Sequence, residues 1–114
     1  MLDWKRLSTR YGRMTYQQRM GNLASTLARS ATVAQSKSST VSVPDLLREG
    51  MWIIEWSATD APSEALIELA PMQRELDLLR RAWERDAEAV CPLVSFRARA
   101  ISDRALDLSG LLIQ

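Results

Sequence analysis

The stretch SEALIELAPMQRELDLLRRAWERDAEAV, residues 63–90, decides the fold class of this 114-residue chain. Its apolar residues recur at spacings of three and four: Ala65, Leu69, Met72, Leu76, Leu79, Trp83, Ala87 and Val90. This spacing places them on one side of an α-helix, with charged residues on the other side. Pro71 interrupts the segment without changing the phase of the pattern. We therefore expect one helix kinked at Pro71, or two abutting helices that share an axis.

Further amphipathic helices are expected at about residues 15–34, 44–57 and 92–109. Thr15 and Gln18 form a capping-box pattern at the start of the first. Pro44 suits the first turn of the second, and Pro92, just after Cys91, is expected in the first turn of the last. The side opposite the apolar stripe of the first carries Arg19, Asn22, Thr26 and Arg29.

These helices predict an all-α protein, an antiparallel four-helix bundle that forms a single domain over residues 1–114. A three-helix bundle with a terminal arm is the alternative. Residues 1–14 are interpreted as a basic N-terminal arm, and the Ser-rich residues 35–43 as a flexible connection. The C-terminal LLIQ, residues 111–114, leaves three apolar side chains to be covered.

The composition argues against catalysis. Histidine is absent and Cys91 is the only cysteine, which removes the usual general base and most metal sites. The four glycines form no phosphate-binding loop, and the carboxylate pairs at 64/68 and 84/88 are interpreted as solvated surface charge. We therefore expect no enzymatic activity, no cofactor and no metal. No segment is long enough to span a bilayer or to act as a signal peptide, so we expect a cytoplasmic protein.

The stretch MWIIEWSA, residues 51–58, raises the question of function. One side of this helix is apolar and suits a bundle core, but Trp52 and Trp56 lie together on the other side, one turn apart. An N-terminal segment with Trp4 and Leu7, or the LLIQ tail, could cover them. Alternatively the two indoles form a contact surface with another chain, with Arg48 stacked on Trp52. A pocket for a small ligand is the third interpretation.

The N-terminal segment offers a second candidate surface, because its basic residues alternate with aromatic ones: Trp4, Lys5, Arg6, Arg10, Tyr11 and Arg13. Basic residues neutralise phosphates and aromatic rings stack on bases, so this segment could bind nucleic acid or an anionic membrane surface. It could equally fold over the acidic side of the helix expected at residues 63–90.

Three stretches, MTYQQRMGNLASTLAR, MWIIEWSA and SDRALDLSGLL, together about a third of the chain, resemble small α-helical proteins of photosynthetic bacteria that carry no assigned activity. The resemblance implies an intracellular helical protein and transfers no catalytic or binding residue. From the residues themselves we expect a non-enzymatic adaptor, assembly factor or regulatory subunit that binds another protein or itself through Arg48, Trp52 and Trp56. Binding of nucleic acid or an anionic surface through the N-terminal segment is the alternative.

Overall fold

The computed structural model describes residues 2–36 and 42–110, and this part of the chain forms helices joined by short connections, with no strand. The helices are α1 (Trp4–Gly12), α2 (Tyr16–Ala34), α3 (Val43–Ser57) and α4 (Ser63–Ser109). The capping box predicted at Thr15 and Gln18 is present, and Pro44 lies in the first turn of α3. The LLIQ tail and most of the predicted Ser-rich connection lie outside the described residues. The helix α1 occupies the N-terminal segment whose conformation the sequence left open.

Helix α4 is a hairpin of two arms, because Asp86 breaks it with non-helical backbone angles (φ −160°, ψ 83°). The arms, residues 63–85 and 87–109, run antiparallel. Two ion pairs between them fix this direction: Glu75 with Arg97 at 2.5 Å and Glu68 with Arg104 at 2.6 Å.

The break at Asp86 corrects the prediction about Cys91-Pro92. The expected turn at Cys91-Pro92 is wrong, because the Asp86 carboxylate accepts a hydrogen bond from the Ala89 amide (3.2 Å) and caps the second arm five residues earlier. Pro92 therefore lies in the second turn, and the Cys91 thiol donates to the Glu88 carbonyl (3.6 Å) that Pro92 leaves without an amide donor.

Pro71 does not interrupt α4, since Asp86 is the residue of this helix with non-helical angles. Pro71 has no amide hydrogen to donate to the carbonyl four residues earlier, which is that of Ile67. Ile67 is on the exposed side of the helix. Water can satisfy that carbonyl, so the helix continues through Pro71. Of the two arrangements expected at Pro71, the structure has the single helix and not two abutting helices.

The two arms pack with α2 and α3 as an antiparallel four-helix bundle, as predicted from the sequence. Helix α2 lies against the second arm, where Ser95 and Ser102 donate to the carbonyls of Ala31 and Ala24 (2.8 and 2.7 Å). Helix α3 lies against the first arm, where the Gln73 amide donates to the Met51 carbonyl (3.0 Å).

Helices α2 and α3 approach closely at Gly50. A Cβ atom built there would lie 3.1 Å from Leu27 Cδ2 and 3.2 Å from Leu76 Cδ1. Apolar side chains from all four bundle helices fill the core; Leu23, Leu27, Leu47, Ile53, Leu69, Leu76 and Val94 are among those with at most 1% exposure. One side of α3 therefore faces the core. The other side of α3, which carries Trp52 and Trp56, is open to contact with α1.

Candidate protein-interaction surface

Helix α1 is a short amphipathic helix that packs on α3. The Asp3 side chain caps it by accepting from the Arg6 amide (3.0 Å). Trp4, Leu7 and Tyr11 follow helical spacing and share one side, so this side can be covered while the basic residues remain in water.

Four aromatic rings meet where α1 contacts α3, and we call this group the aromatic cluster. Its ring centroids are 6.3 Å apart for Trp4 and Trp52, 6.0 Å for Trp4 and Trp56, 6.1 Å for Trp52 and Trp56, and 5.6 Å for Tyr11 and Trp56. Tyr11 and Trp56 are stacked, and Trp4 meets Trp52 edge-on. Such pairs contribute about 0.5–1.5 kcal/mol each beyond the burial of apolar area. The N-terminal segment thus lies over the indoles, the first of the three interpretations.

The cover that α1 provides is incomplete. Trp4 remains 51% exposed, and Trp52 and Trp56 are only partly buried although Trp56 packs against the core. Three indoles in mutual contact therefore reach the surface of the protein at one place.

Tyr11 anchors α1 to the bundle. It is 1% exposed, and its hydroxyl donates to Glu49 Oε2 at 2.7 Å, an oxygen that also accepts from the Thr26 hydroxyl (3.4 Å). Burial, and then the hydrogen bond to the Glu49 carboxylate and its negative charge, raise the pKa of Tyr11. The nucleic-acid hypothesis supposed that Tyr11 stacks on a base. Tyr11 is not available for this, because it is buried.

Both tyrosines are expected to stay protonated at pH 10, their ordinary pKa. Tyr16 donates to the Leu108 carbonyl (3.1 Å), and burial followed by the charges of Glu64, Asp60 and Glu68 raises its pKa. Because the folded state holds these protons more tightly than the unfolded state, stability should fall as the pH rises above about 10. Near-ultraviolet absorbance should show tyrosinate appearing together with the loss of helical circular dichroism. A tyrosinate signal with a midpoint near pH 10 in a folded protein would contradict this.

A buried arginine joins the connection between α1 and α2 to the end of α3. Arg19 is 5% exposed, and its guanidinium donates to the carbonyl of Met14 (2.7 Å), the carbonyl of Tyr11 (3.4 Å) and the hydroxyl of Ser57 (3.2 Å). It also pairs with the half-exposed carboxylate of Asp60. The sequence placed Arg19 and Thr26 on the polar side of α2, but both are buried. Arg19 lies against the Tyr11 and Met14 carbonyls and the Ser57 end of α3, and Thr26 lies against Glu49.

The cations of the N-terminal segment, Lys5, Arg6, Arg10 and Arg13, are exposed next to the aromatic cluster. No carboxylate of residues 2–36 and 42–110 forms an ion pair with any of them. Arg10 lies over the Tyr11 ring, 5.4 Å from its centroid. Trp4 thus connects the two surfaces that the sequence predicted separately, and we call the combined area the aromatic–basic surface.

Arg48 does not take up the expected position stacked on Trp52. Its guanidinium pairs with Glu84 of the first arm at 3.4 Å, with both side chains nearly half exposed. Arg48 is therefore at the edge of the aromatic–basic surface, where an exposed ion pair of this kind contributes little to stability.

The described residues show neither a metal centre nor a membrane span. No group of three or more carboxylate or thiol side chains among these residues lies close enough together to hold a metal ion. None of their helices has an apolar run of the length that crossing a bilayer requires. A comparison of the chain with protein-family models, curated proteins and solved structures finds no match. The function of the protein is therefore inferred from its fold and its aromatic–basic surface alone.

Proposed function

We propose that this protein is a non-enzymatic helical module, an adaptor, assembly factor or regulatory subunit, that binds another protein through the aromatic–basic surface. One observation carries the proposal: Trp4, Trp52 and Trp56 contact one another at the surface and stay partly exposed after α1 has packed on them. Tryptophan is the residue most enriched at the energetic centres of protein interfaces. We place the interaction in the cytoplasm, whose reducing conditions keep a free thiol such as Cys91 reduced.

The chemistry of this surface selects the kind of partner. The indoles offer an apolar centre, and Lys5, Arg6 and Arg10 offer positive charge that no carboxylate of the described chain neutralises. An acidic protein segment with apolar side chains, such as an amphipathic helix, matches both features. Arg48 and Glu84 would lie at the rim of this contact.

Binding of nucleic acid or an anionic membrane surface is the second candidate, because four cations that no described carboxylate pairs with lie on and beside one short helix. Its weakness is the burial of Tyr11 and Tyr16, which leaves Trp4 as the exposed ring of the N-terminal segment. A phosphate-dominated complex would weaken steeply with salt, whereas one centred on indoles would not.

Affinity capture from nuclease-treated lysate of the source cell tests the proposal. The wild type should retain a discrete acidic protein, and Trp4→Ala combined with Trp52→Ala should lose it. Trp56 stays in place because it packs against the core. Phe96→Ala is the matched control, since it removes an exposed aromatic ring from α4.

Three results would count against the proposal. Retention of the same protein by the double variant would exclude the indoles as its contact. Loss of the captured material on nuclease treatment, or its release at about 0.3 M salt, would favour the nucleic-acid candidate. Equal loss in Phe96→Ala would move the contact to α4.

A further inference from the structure

A small polar pocket lies where α1, α2 and α3 meet, and it borders the aromatic–basic surface at Arg10. Its volume is about 190 Å³. Thr26 and Arg29 line it from α2, on the polar side of that helix. Arg10 and Tyr11 line it from α1, and Glu49 lines it from α3. The packing of α1 on the bundle therefore forms one wall of the pocket.

The Glu49 carboxylate brings a negative charge to this pocket. One of its oxygens, Oε2, accepts hydrogen bonds from the hydroxyls of Tyr11 (2.7 Å) and Thr26 (3.4 Å). Within residues 2–36 and 42–110, no group donates to the other oxygen, Oε1, and no cation forms an ion pair with Glu49. Because two hydroxyls hold the carboxylate in place, Oε1 can accept a charge-assisted hydrogen bond from a ligand in the pocket.

Two guanidinium groups bring positive charge to the same pocket. Arg10 and Arg29 are exposed, and no carboxylate in the described part of the chain pairs with either of them. Neither lies close enough to Glu49 to form an ion pair with it, so charges of both signs border one small space without direct contact. A guanidinium can bind a carboxylate through two parallel hydrogen bonds, so each arginine can bind one carboxylate of a ligand.

We propose that this pocket binds a free acidic amino acid, glutamate or aspartate. Its two carboxylates pair with Arg10 and Arg29, and its ammonium group donates to Glu49 Oε1. A dianion without an ammonium group would lie beside the Glu49 charge with nothing to neutralise it, and a simple cation would lie beside two guanidinium groups. Repulsion between like charges disfavours both of these ligands.

The size of the pocket also selects a small ligand. A volume of 190 Å³ corresponds to about six water molecules at roughly 30 Å³ each. Ligands of drug size occupy pockets of about 300–1,000 Å³, so a nucleotide is too large for this one. An amino acid with about ten non-hydrogen atoms fits. The ligand would bridge three helices, and its binding requires no protein partner.

Titration of the nitrogen-15-labelled full chain with L-glutamate in low-salt buffer tests the proposal by NMR. Amide resonances of residues 22–29 and of Glu49 should shift with a dissociation constant of about 1 mM, which is attainable for a ligand of this size. Glutarate lacks the ammonium group, and L-glutamine lacks the second carboxylate. Each should bind at least tenfold more weakly than glutamate, and because their shapes are similar to that of glutamate, the difference reports the charges.

Variants of the lining residues separate the two kinds of charge. Arg29→Ala removes an exposed side chain and should raise the dissociation constant for glutamate at least tenfold. Glu49→Gln keeps an oxygen that can accept from Tyr11, and it should bind glutarate at least as well as glutamate. Thermal melting should confirm that both variants are folded. Arg6→Ala is the control, because Arg6 is an exposed cation of α1 that does not line this pocket.

Each of three results would overturn the proposal. The first is an absence of shifts in the wild type at about 20 mM glutamate, a concentration that would saturate the site. The second is equal binding of glutarate and glutamate by the wild type, which would indicate a general anion site. The third is equal weakening by Arg6→Ala and Arg29→Ala, which would indicate diffuse attraction to the basic surface instead of binding in the pocket.

Discussion

Replacement of Arg19 by methionine should lower the free energy of unfolding by about 3 kcal/mol. Methionine keeps most of the side-chain volume but removes the guanidinium that holds the carbonyls of Tyr11 and Met14 and the hydroxyl of Ser57. These groups would stay buried without that donor, which is costly. Urea denaturation followed by circular dichroism measures the change, and a loss below about 1 kcal/mol would contradict this role.

The matched control for Arg19 is its ion-pair partner. Asp60→Asn should cost less than about 1 kcal/mol, because the Asp60 side chain is 53% exposed and its charge is largely solvated. A similar loss in both variants would mean that the ion pair, rather than the hydrogen bonds to the backbone, stabilises this junction.

Replacement of Trp56 by alanine should have the second large effect, a loss of about 2–3 kcal/mol. Complete burial of a tryptophan makes its removal cost about 3–5 kcal/mol, and Trp56 is only partly buried. Trp56 is the ring that both Tyr11 and Trp4 contact, so its loss should also release α1 from α3. Hydrogen exchange should then show faster exchange of the amides in residues 4–12 than in α2.

Trp4→Ala is the control for Trp56→Ala, since Trp4 belongs to the same aromatic cluster but its ring is half exposed to solvent. It should cost no more than about 1 kcal/mol and leave the exchange of α2 unchanged. If Trp56→Ala were equally mild, Trp56 would contribute contact area for a partner rather than stability to the fold.

The bundle was predictable because its signals are local. The stripe from Ala65 to Leu79 and the capping box at Thr15 depend on residues three or four positions apart, and the structure retains both. The position of the hairpin turn was not predictable in this way. The sequence predicted the turn at Cys91-Pro92. A proline near the start of a helix costs little when another group, here the Cys91 thiol, replaces its missing amide donor, and the Asp86 cap determines where the arm begins.

The aromatic–basic surface was only half predictable, because it depends on contacts between distant segments. Periodicity correctly separated Trp52 and Trp56 from the core side of α3. The sequence named the segment with Trp4 as one possible cover for these indoles, but nothing local favoured it over the LLIQ tail, since forty-eight positions separate Trp4 from Trp52. The burial of Arg19 was hidden for the same reason: a helix wheel of α2 shows a polar side, and only the docking of α1 and the Ser57 end of α3 encloses it.

Fluorine NMR of the chain labelled with 5-fluorotryptophan can test whether the aromatic–basic surface is the binding site. The captured partner is added unlabelled. Single Trp→Phe variants assign the four resonances. We expect the Trp4 and Trp52 resonances to shift or broaden on binding. Trp83, which lines a cavity of about 390 Å³ with Ala34 and Cys91 near the hairpin turn, should not change. Unchanged Trp4 and Trp52 resonances in a fully formed complex would contradict the claim that the aromatic–basic surface is the binding site.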